Sequence, residues 1–181
     1  MAKRIKADIC IIGAGSGGLS VAAGAAQMGA RTVLIERDAM GGDCLNTGCV
    51  PSKALLAAAR QAYSMGAGEP LGIAPVKPEV DFAKVHDHVH SVIAAIAPND
   101  SVARFEGLGV TVIKDHARFR DGRTVLAGNT EITARRFVVA TGSRAAVPPI
   151  SGLDKVPFYT NENIFENRTC PDHLIIVGGG P

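Results

Sequence analysis

The chain has 181 residues, a formal charge of +2 at neutral pH, 46% hydrophobic residues, 21 glycines and no tryptophan. This length can bury the core of one domain or slightly more, and the near-balanced charge, with no long basic run, argues against a nucleic-acid or membrane surface. Four cysteines, only two of them close together, do not make a secreted disulfide framework and fit a reducing, cytoplasmic setting.

Lys3, Arg4 and Lys6 ahead of an apolar run imitate a signal peptide, but Asp8 and the glycines at 13, 15, 17, 18 and 24 interrupt any apolar stretch. No run is long enough to span a bilayer. Residues 7–12 read instead as a short strand buried on both faces. A helix is expected over 19–28, capped by Gly29, and a second strand over 31–36. Together they form a βαβ unit of about thirty residues with a right-handed crossover.

Residues 51–65 read as a helix with Pro51 in its first turn and Leu55, Leu56, Ala59 and Ala62 as its buried stripe. After a Gly/Pro-rich loop at 66–78, Asp81 is placed to cap a long helix to about Ile96, with Val85, Val89, Val92, Ile93 and Ile96 on one face. Pro98 ends or kinks it, and a further turn runs through Phe105. Beyond Gly107 the period shifts toward two. Strands at 110–113, 117–119, 124–126 and 131–133 are expected to form a small antiparallel meander.

An apolar strand at 136–140 then precedes Thr141-Gly142. Pro148, Pro149, Gly152 and Pro157 mark a connector, and a strand at 173–177 leads into Gly178-Gly179-Gly180-Pro181. The expected class is α/β. Residues 1–150 are the N-terminal segment of a Rossmann-like domain with a small antiparallel β-meander. Residues 151–181 are a connector and the first strand of a second nucleotide-binding domain, truncated at its start.

Gly13-Ala14-Gly15-Ser16-Gly17-Gly18 lies between the first strand and helix. Gly13 permits a tight turn, Gly15 lets backbone approach a pyrophosphate, and Gly18 allows close helix–strand packing. The helix N-terminus offers free N–H groups to the phosphates. Glu36 closes the second strand, where a carboxylate can accept ribose hydroxyls.

Thirty residues on stands Gly41-Gly42-Asp43-Cys44-Leu45-Asn46-Thr47-Gly48-Cys49-Val50-Pro51-Ser52-Lys53. Within one regular helix the two cysteines would be about 7.5 Å apart along the axis, too far for an unstrained disulfide. A bend at Asn46 and Gly48 would place the pair in a loop entering a helix, with Cys49 at a helix start that favours a thiolate. Zinc held by Cys44, Cys49, His86 and His90 is a competing reading, but it requires two distant helices to meet. His86, His88 and His90 are expected on or beside a solvated face, and no metal site is expected.

The fingerprint, the cysteine motif, Ala140-Thr141-Gly142 and the terminal Ile-Val-Gly-Gly-Gly-Pro resemble the pyridine nucleotide-disulfide oxidoreductases over the whole chain. The resemblance implies an FAD-binding domain, a following NAD(P)-binding domain and a homodimer. It also implies a small disulfide, a dithiol or Hg(II) as substrate. Pro51-Ser52-Lys53 looks like dihydrolipoamide dehydrogenases and mercuric reductases alike, and Leu45 with Ala54-Leu55-Leu56 looks like the dihydrolipoamide type. Residues 96–101 with Arg104-Phe105 look more like mercuric reductase-like members.

By the same resemblance Cys44 is the interchange thiol and Cys49 is the thiol facing the flavin in charge-transfer contact. Lys53 places an ammonium near flavin N5. His116-Ala117 meets the adenine through backbone atoms, and Thr141, Gly142 and Ser143 line the cofactor. Arg37, Gly42 and Asp43 join the fingerprint residues Gly13, Gly15, Ser16, Gly17 and Gly18 and Glu36 around it. Asp43 stands where the family usually has threonine. The family's catalytic His–Glu pair comes from the partner's C-terminal region, so the alternative from another class is an inactive nucleotide-binding fragment.

Overall fold

In the computed structural model, which describes residues 3–179, four runs of apolar sequence lie side by side as the parallel part of one sheet. Strand β1 (Lys3–Ile12) is followed by helix α1 (Ser16–Gln27) and strand β2 (Thr32–Glu36). Helices α2 (Gly42–Asn46), α3 (Cys49–Gly66), α4 (Phe82–Ile96) and α5 (Val102–Gly107) come next. Strands β3 (Thr111–Lys114), β4 (Ala117–Asp121), β5 (Thr124–Ala127) and β6 (Thr130–Val139) complete the sheet. Its order is β3-β2-β1-β6-β5-β4.

Successive side chains of a strand point to opposite faces, and the core divides accordingly. Ile11 and Leu34 face α1 and α5, packing with Leu19, Ala22, Phe105 and Val110. Cys10, Val33 and Ile35 face the other way and cluster with Val125, Ala127, Ile132 and Ala134. The antiparallel end of the sheet thus closes over this second face. All five residues of β2 are buried, as a strand covered on both sides requires. Burial pushes the Cys10 thiol up to about 12, which makes it an inert core residue.

Four expectations change. The segment at 110–113 does not join the antiparallel meander; β3 pairs in parallel with β2, Val33 opposite Thr111 and Ile35 opposite Ile113. The runs at 131–133 and 136–140 are one strand, because β6 pairs in parallel with β1 from Lys3↔Thr130 to Ile12↔Val139 while its first residues also pair with β5. That pairing also starts β1 at Lys3 rather than Ala7. The run at 173–177 forms no strand, and Leu174, Ile175, Ile176 and Val177 are exposed. Among the described residues no strand lies beside it to pair with its backbone groups. Of the terminal glycine motif, Gly180 and Pro181 lie outside the described residues.

Helix α3 is longer than the expected 51–65, and its inward stripe is Pro51, Ala54, Leu55, Ala58 and Ala62; Leu56 and Ala59 face out. Asp81 caps α4 as expected, accepting from the Lys84 N–H at 3.2 Å, and the Val85–Val89–Ile93–Ile96 stripe faces inward. Helices α3 and α4 pack on each other. No helix among the described residues is long and apolar enough to cross a membrane.

Asp8 ties β1 to the start of β2. Its carboxylate accepts from the Arg31 backbone N–H and from Arg31 Nε and Nη2, each at 3.0 Å. These bonds hold the Asp8 carboxyl down to about 2. A carboxyl depressed on folding stabilises above its unfolded pKa of about 3.9 and loses that contribution as pH falls toward its folded value. Asp8→Asn should therefore lower the thermal midpoint at neutral pH, and the gap from the parent should close at about pH 2. A gap independent of pH in a denaturation series would refute this.

Candidate functional site

The first turn of the βαβ unit is built around backbone contact. Gly13 takes φ +102°, donates its N–H to the Ile35 carbonyl at 2.8 Å, and lies so close to Ala140 that a Cβ would enter the Ala140 carbonyl. A Cβ on Gly18 would likewise collide with the Gly13 carbonyl. These two glycines serve packing. Gly15 differs: a Cβ there would lie 3.8 Å from Gly42 Cα, an ordinary contact. A Cβ on Gly17 would meet nothing within 4 Å. The fold does not demand a bare backbone at Gly15, which lines the cleft beside the turn. Gly15 is the N-cap of α1 and no side chain caps that end, leaving first-turn N–H groups free for an anion.

Glu36, 8% exposed at the end of β2, accepts from Ala14 N at 2.5 Å through Oε2 and from Asp38 N at 2.7 Å through Oε1. The carboxylate thus pins the glycine turn to the strand end. Each oxygen keeps a lone pair, and the residue still lines the cleft.

The cysteine motif is tied to the same turn. Gly41 donates to the Ala14 carbonyl at 2.9 Å and bridges to Gly15, and both Gly41 and Gly42 take positive φ. Asn46 Nδ2 donates to the carbonyls of Met40 at 3.1 Å and Gly42 at 2.8 Å, which holds the short α2 closed. The chain then breaks at Thr47 and Gly48 before α3 begins at Cys49. A Cβ on Gly48 would lie 2.8 Å from the Asp43 carbonyl oxygen, so only glycine lets α3 start this close to α2. The bend is where the sequence places it, but Cys44 sits inside a short helix rather than in a loop.

The break brings the two sulfurs together as free thiols. Cys44 titrates above the ordinary thiol range, first because its hydrogen bond with Cys49 holds the proton on Cys44 and then because it is partly buried; Lys53 opposes this weakly by its charge. Cys49 and Lys53 are exposed.

A cleft of about 710 Å³ opens at the C-terminal ends of β1, β2 and β6, where open α/β sheets bind ligands. Gly13, Gly15, Glu36, Arg37, Gly42, Asp43, Ala117, Thr141, Gly142 and Ser143 line it, as does His116. Ser16, Gly17 and Gly18 stand behind it at the start of α1, and Cys44, Cys49 and Lys53 lie outside its wall. Asp38, Thr47, Asp115, Arg144 and Glu162 also line it and were not read from the sequence. Arg144 clasps Glu162 through Nε–Oε1 at 2.8 Å and Nη2–Oε2 at 2.6 Å. No local pattern announces a pair eighteen residues apart across a connector.

The volume suits a dinucleotide. An uncapped helix start, a bare Gly15 and an acid at the strand end are the donors and spaces such a ligand needs, so these residues fit FAD. Asp43 is discordant with a diphosphate, since it brings a carboxylate to the wall beside Gly142.

Comparison with known proteins agrees with this geometry. Residues 7–181 match the pyridine nucleotide-disulphide oxidoreductase family. The chain is 34% identical over 179 residues to a mercuric reductase of Streptomyces lividans, covering 96% of this chain and 38% of that protein. It is 35% identical over 181 residues to a dihydrolipoyl dehydrogenase of Haloferax volcanii, with the same two coverages. The HOCl-induced flavoprotein disulfide reductase RclA from Escherichia coli, solved as a Cu(II) complex, superposes with a TM-score of 0.72 at 25% identity, over 88% of this chain and 34% of that one. The chain spans about a third of the length of the curated relatives it matches. With its glycine turn and its thiol pair built into one α/β unit, it belongs to the pyridine nucleotide-disulphide oxidoreductase family.

Proposed function

We propose that this chain is the flavin- and disulfide-bearing part of an FAD-dependent oxidoreductase that passes electrons between NAD(P)(H), flavin and a Cys44–Cys49 disulfide. One observation carries the reading: the helix break at Gly48 holds two thiols together on a segment hydrogen-bonded to the glycine turn. Residues 1–150 would form the FAD-binding segment and 151–181 the connector to a second nucleotide-binding unit. The exposed apolar run Leu174, Ile175, Ile176 and Val177 supports a further surface covering it.

FAD, when bound, would supply reversible two-electron chemistry between a nicotinamide hydride and sulfur. The chain's residues would bind and orient it. The α1 N-terminus and Gly15 would receive the diphosphate, Glu36 the ribose, and Thr141, Gly142 and Ser143 the opposite wall. Ala117, Arg37 and Gly42 would complete the site, and Lys53 would set a positive charge beside the sulfurs. In the dithiol state Cys44, as thiolate, would attack a sulfur of an external disulfide and expel one thiolate, forming a mixed disulfide. Cys49 would then attack Cys44, expelling the second thiolate and closing the Cys44–Cys49 bond; the two electrons end on the external pair.

The relatives point to two substrate classes, a dihydrolipoyl-type dithiol and mercuric ion, and the dihydrolipoamide dehydrogenase-like reading is taken as the main one on Leu45 and residues 54–56. A homodimer is supported by exposed apolar groups on and after α3, namely Leu56, Tyr63, Met65, Leu71 and Ile73. The alternative of another class is an inactive nucleotide-binding fragment. Incubation with FAD followed by desalting should leave about one flavin per chain, read from the flavin absorbance. A colourless chain would overturn the cofactor assignment. Turnover of NAD(P)H with a disulfide in protein of the relatives' length separates the enzyme from the inactive module.

A further inference from the structure

His86 and His90 stand one turn apart on α4, their ring centroids 4.2 Å apart. The His86 side chain is only 11% exposed, which puts it beside the solvated face rather than on it. The turn at Ile164–Glu166 brings Glu166 to the same place from the connector, with its Oε1 3.6 Å from His90 Nε2. One nitrogen of each imidazole and one oxygen of this carboxylate lie within 4.8 Å of one another. Ligands sharing a tetrahedral ion at ~2.0–2.1 Å would be separated by ~3.4 Å, so modest side-chain rotation closes the set.

We propose that His86, His90 and Glu166 form a three-ligand site for a borderline divalent transition-metal ion of the Zn(II) kind. Two imidazole nitrogens and one carboxylate oxygen are the donor set such ions take, with water in the remaining position. Glu166 and His90 face solvent enough to admit the ion, at 71% and 36% exposure.

The surroundings suit the ion as well. Asp87 Oδ1 lies 3.1 Å from His86 Nδ1, the place of the carboxylate that orients a ligating histidine in carboxylate–histidine–metal arrangements. Arg168 donates from Nη1 to both His86 Nδ1 and Asp87 Oδ1 at 2.8 Å. Ligation requires Arg168 to release Nδ1: the freed nitrogen then either binds the ion itself or, carrying the ring proton, donates to Asp87 while Nε2 binds. With Glu166 and Asp87 against Arg168, the local carboxylates outnumber the cation. Neither Cys44 nor Cys49 belongs to this cluster, so the proposal is independent of the flavin reading. The ion would fasten the connector to α4.

The test is a Zn(II) titration of the full chain, without an affinity tag and with Cys44, Cys49 and Cys170 changed to serine to remove competing thiols. One saturable equivalent is expected, together with a zinc-dependent rise in the thermal midpoint. His90→Gln, at a half-buried position, and Glu166→Gln, at an exposed one, should each weaken binding by roughly tenfold or more and abolish the midpoint shift. His86→Ala should do the same if it folds; should it not fold, the other two variants decide. Absence of saturable binding, or unchanged affinity in His90→Gln and Glu166→Gln, would overturn the site.

Discussion

Cys49→Ala is expected to abolish the loss of a hydrogen pair that diamide produces in the parent chain, measured by intact mass in a Cys170→Ser background. The parent closes the Cys44–Cys49 bond because the break at Gly48 sets both thiols together. The variant has no second thiol in reach, since Cys10 is buried in the sheet core. Diamide takes the two electrons and two protons that closure releases. A second readout follows from the cause of the raised Cys44 pKa. Its first contributor is the hydrogen bond with Cys49 and its second is burial. Removing the Cys49 thiol should therefore move the pH midpoint of Cys44 alkylation downward, though not fully to the free-thiol value. An unmoved midpoint would mean that burial alone holds the proton, and continued intramolecular oxidation would exclude the pair as a redox unit.

The glycine turn offers the second large effect, because its glycines separate by cause. Gly13→Ala forces a Cβ into the Ala140 carbonyl at a φ of +102°. The combined backbone strain and overpacking should cost about 3 kcal/mol or more, seen as a large fall in the denaturation midpoint. In Gly15→Val the Cβ meets only ordinary protein contact, and the midpoint should stay within about 1 kcal/mol of the parent. Its side chain would nevertheless occupy the cleft where diphosphate is proposed, and flavin affinity should fall roughly a hundredfold, about 2.7 kcal/mol. Equal losses of stability in both variants, or intact flavin retention in Gly15→Val, would contradict the division between packing and binding roles.

Much of the architecture was legible because its signals are local. The apolar run before Gly13 and the uniformly buried β2 read as central strands, and Asp81 announced the start of α4 through its own cap bond. The bend at Gly48 followed from the distance between two cysteines in a regular helix. Pairing was less legible. A period of two says that residues alternate between faces, but not which strand lies beside them. Thus Val112 sits opposite Leu34 at the far side of the sheet, and β6 runs unbroken through a segment that reads as two strands. Leu56 is more apolar than Ala58, yet Ala58 lies on the inward stripe of α3; the small residue fits where α3 packs closely.

The sequence by itself determined the chemistry available: a glycine turn able to receive a diphosphate, an acid at the next strand end, and two sulfurs on a segment that must bend. These depend on neighbours within one turn or one βαβ unit, where covalent reach limits the choices. Only the tertiary structure decided that Glu36 anchors Ala14, that Arg144 and Glu162 meet at the cleft, and that Glu166 joins two helical histidines. Those juxtapositions arise from packing between segments distant in the chain, whose meeting depends on how the entire sheet and its connector bury their surfaces together.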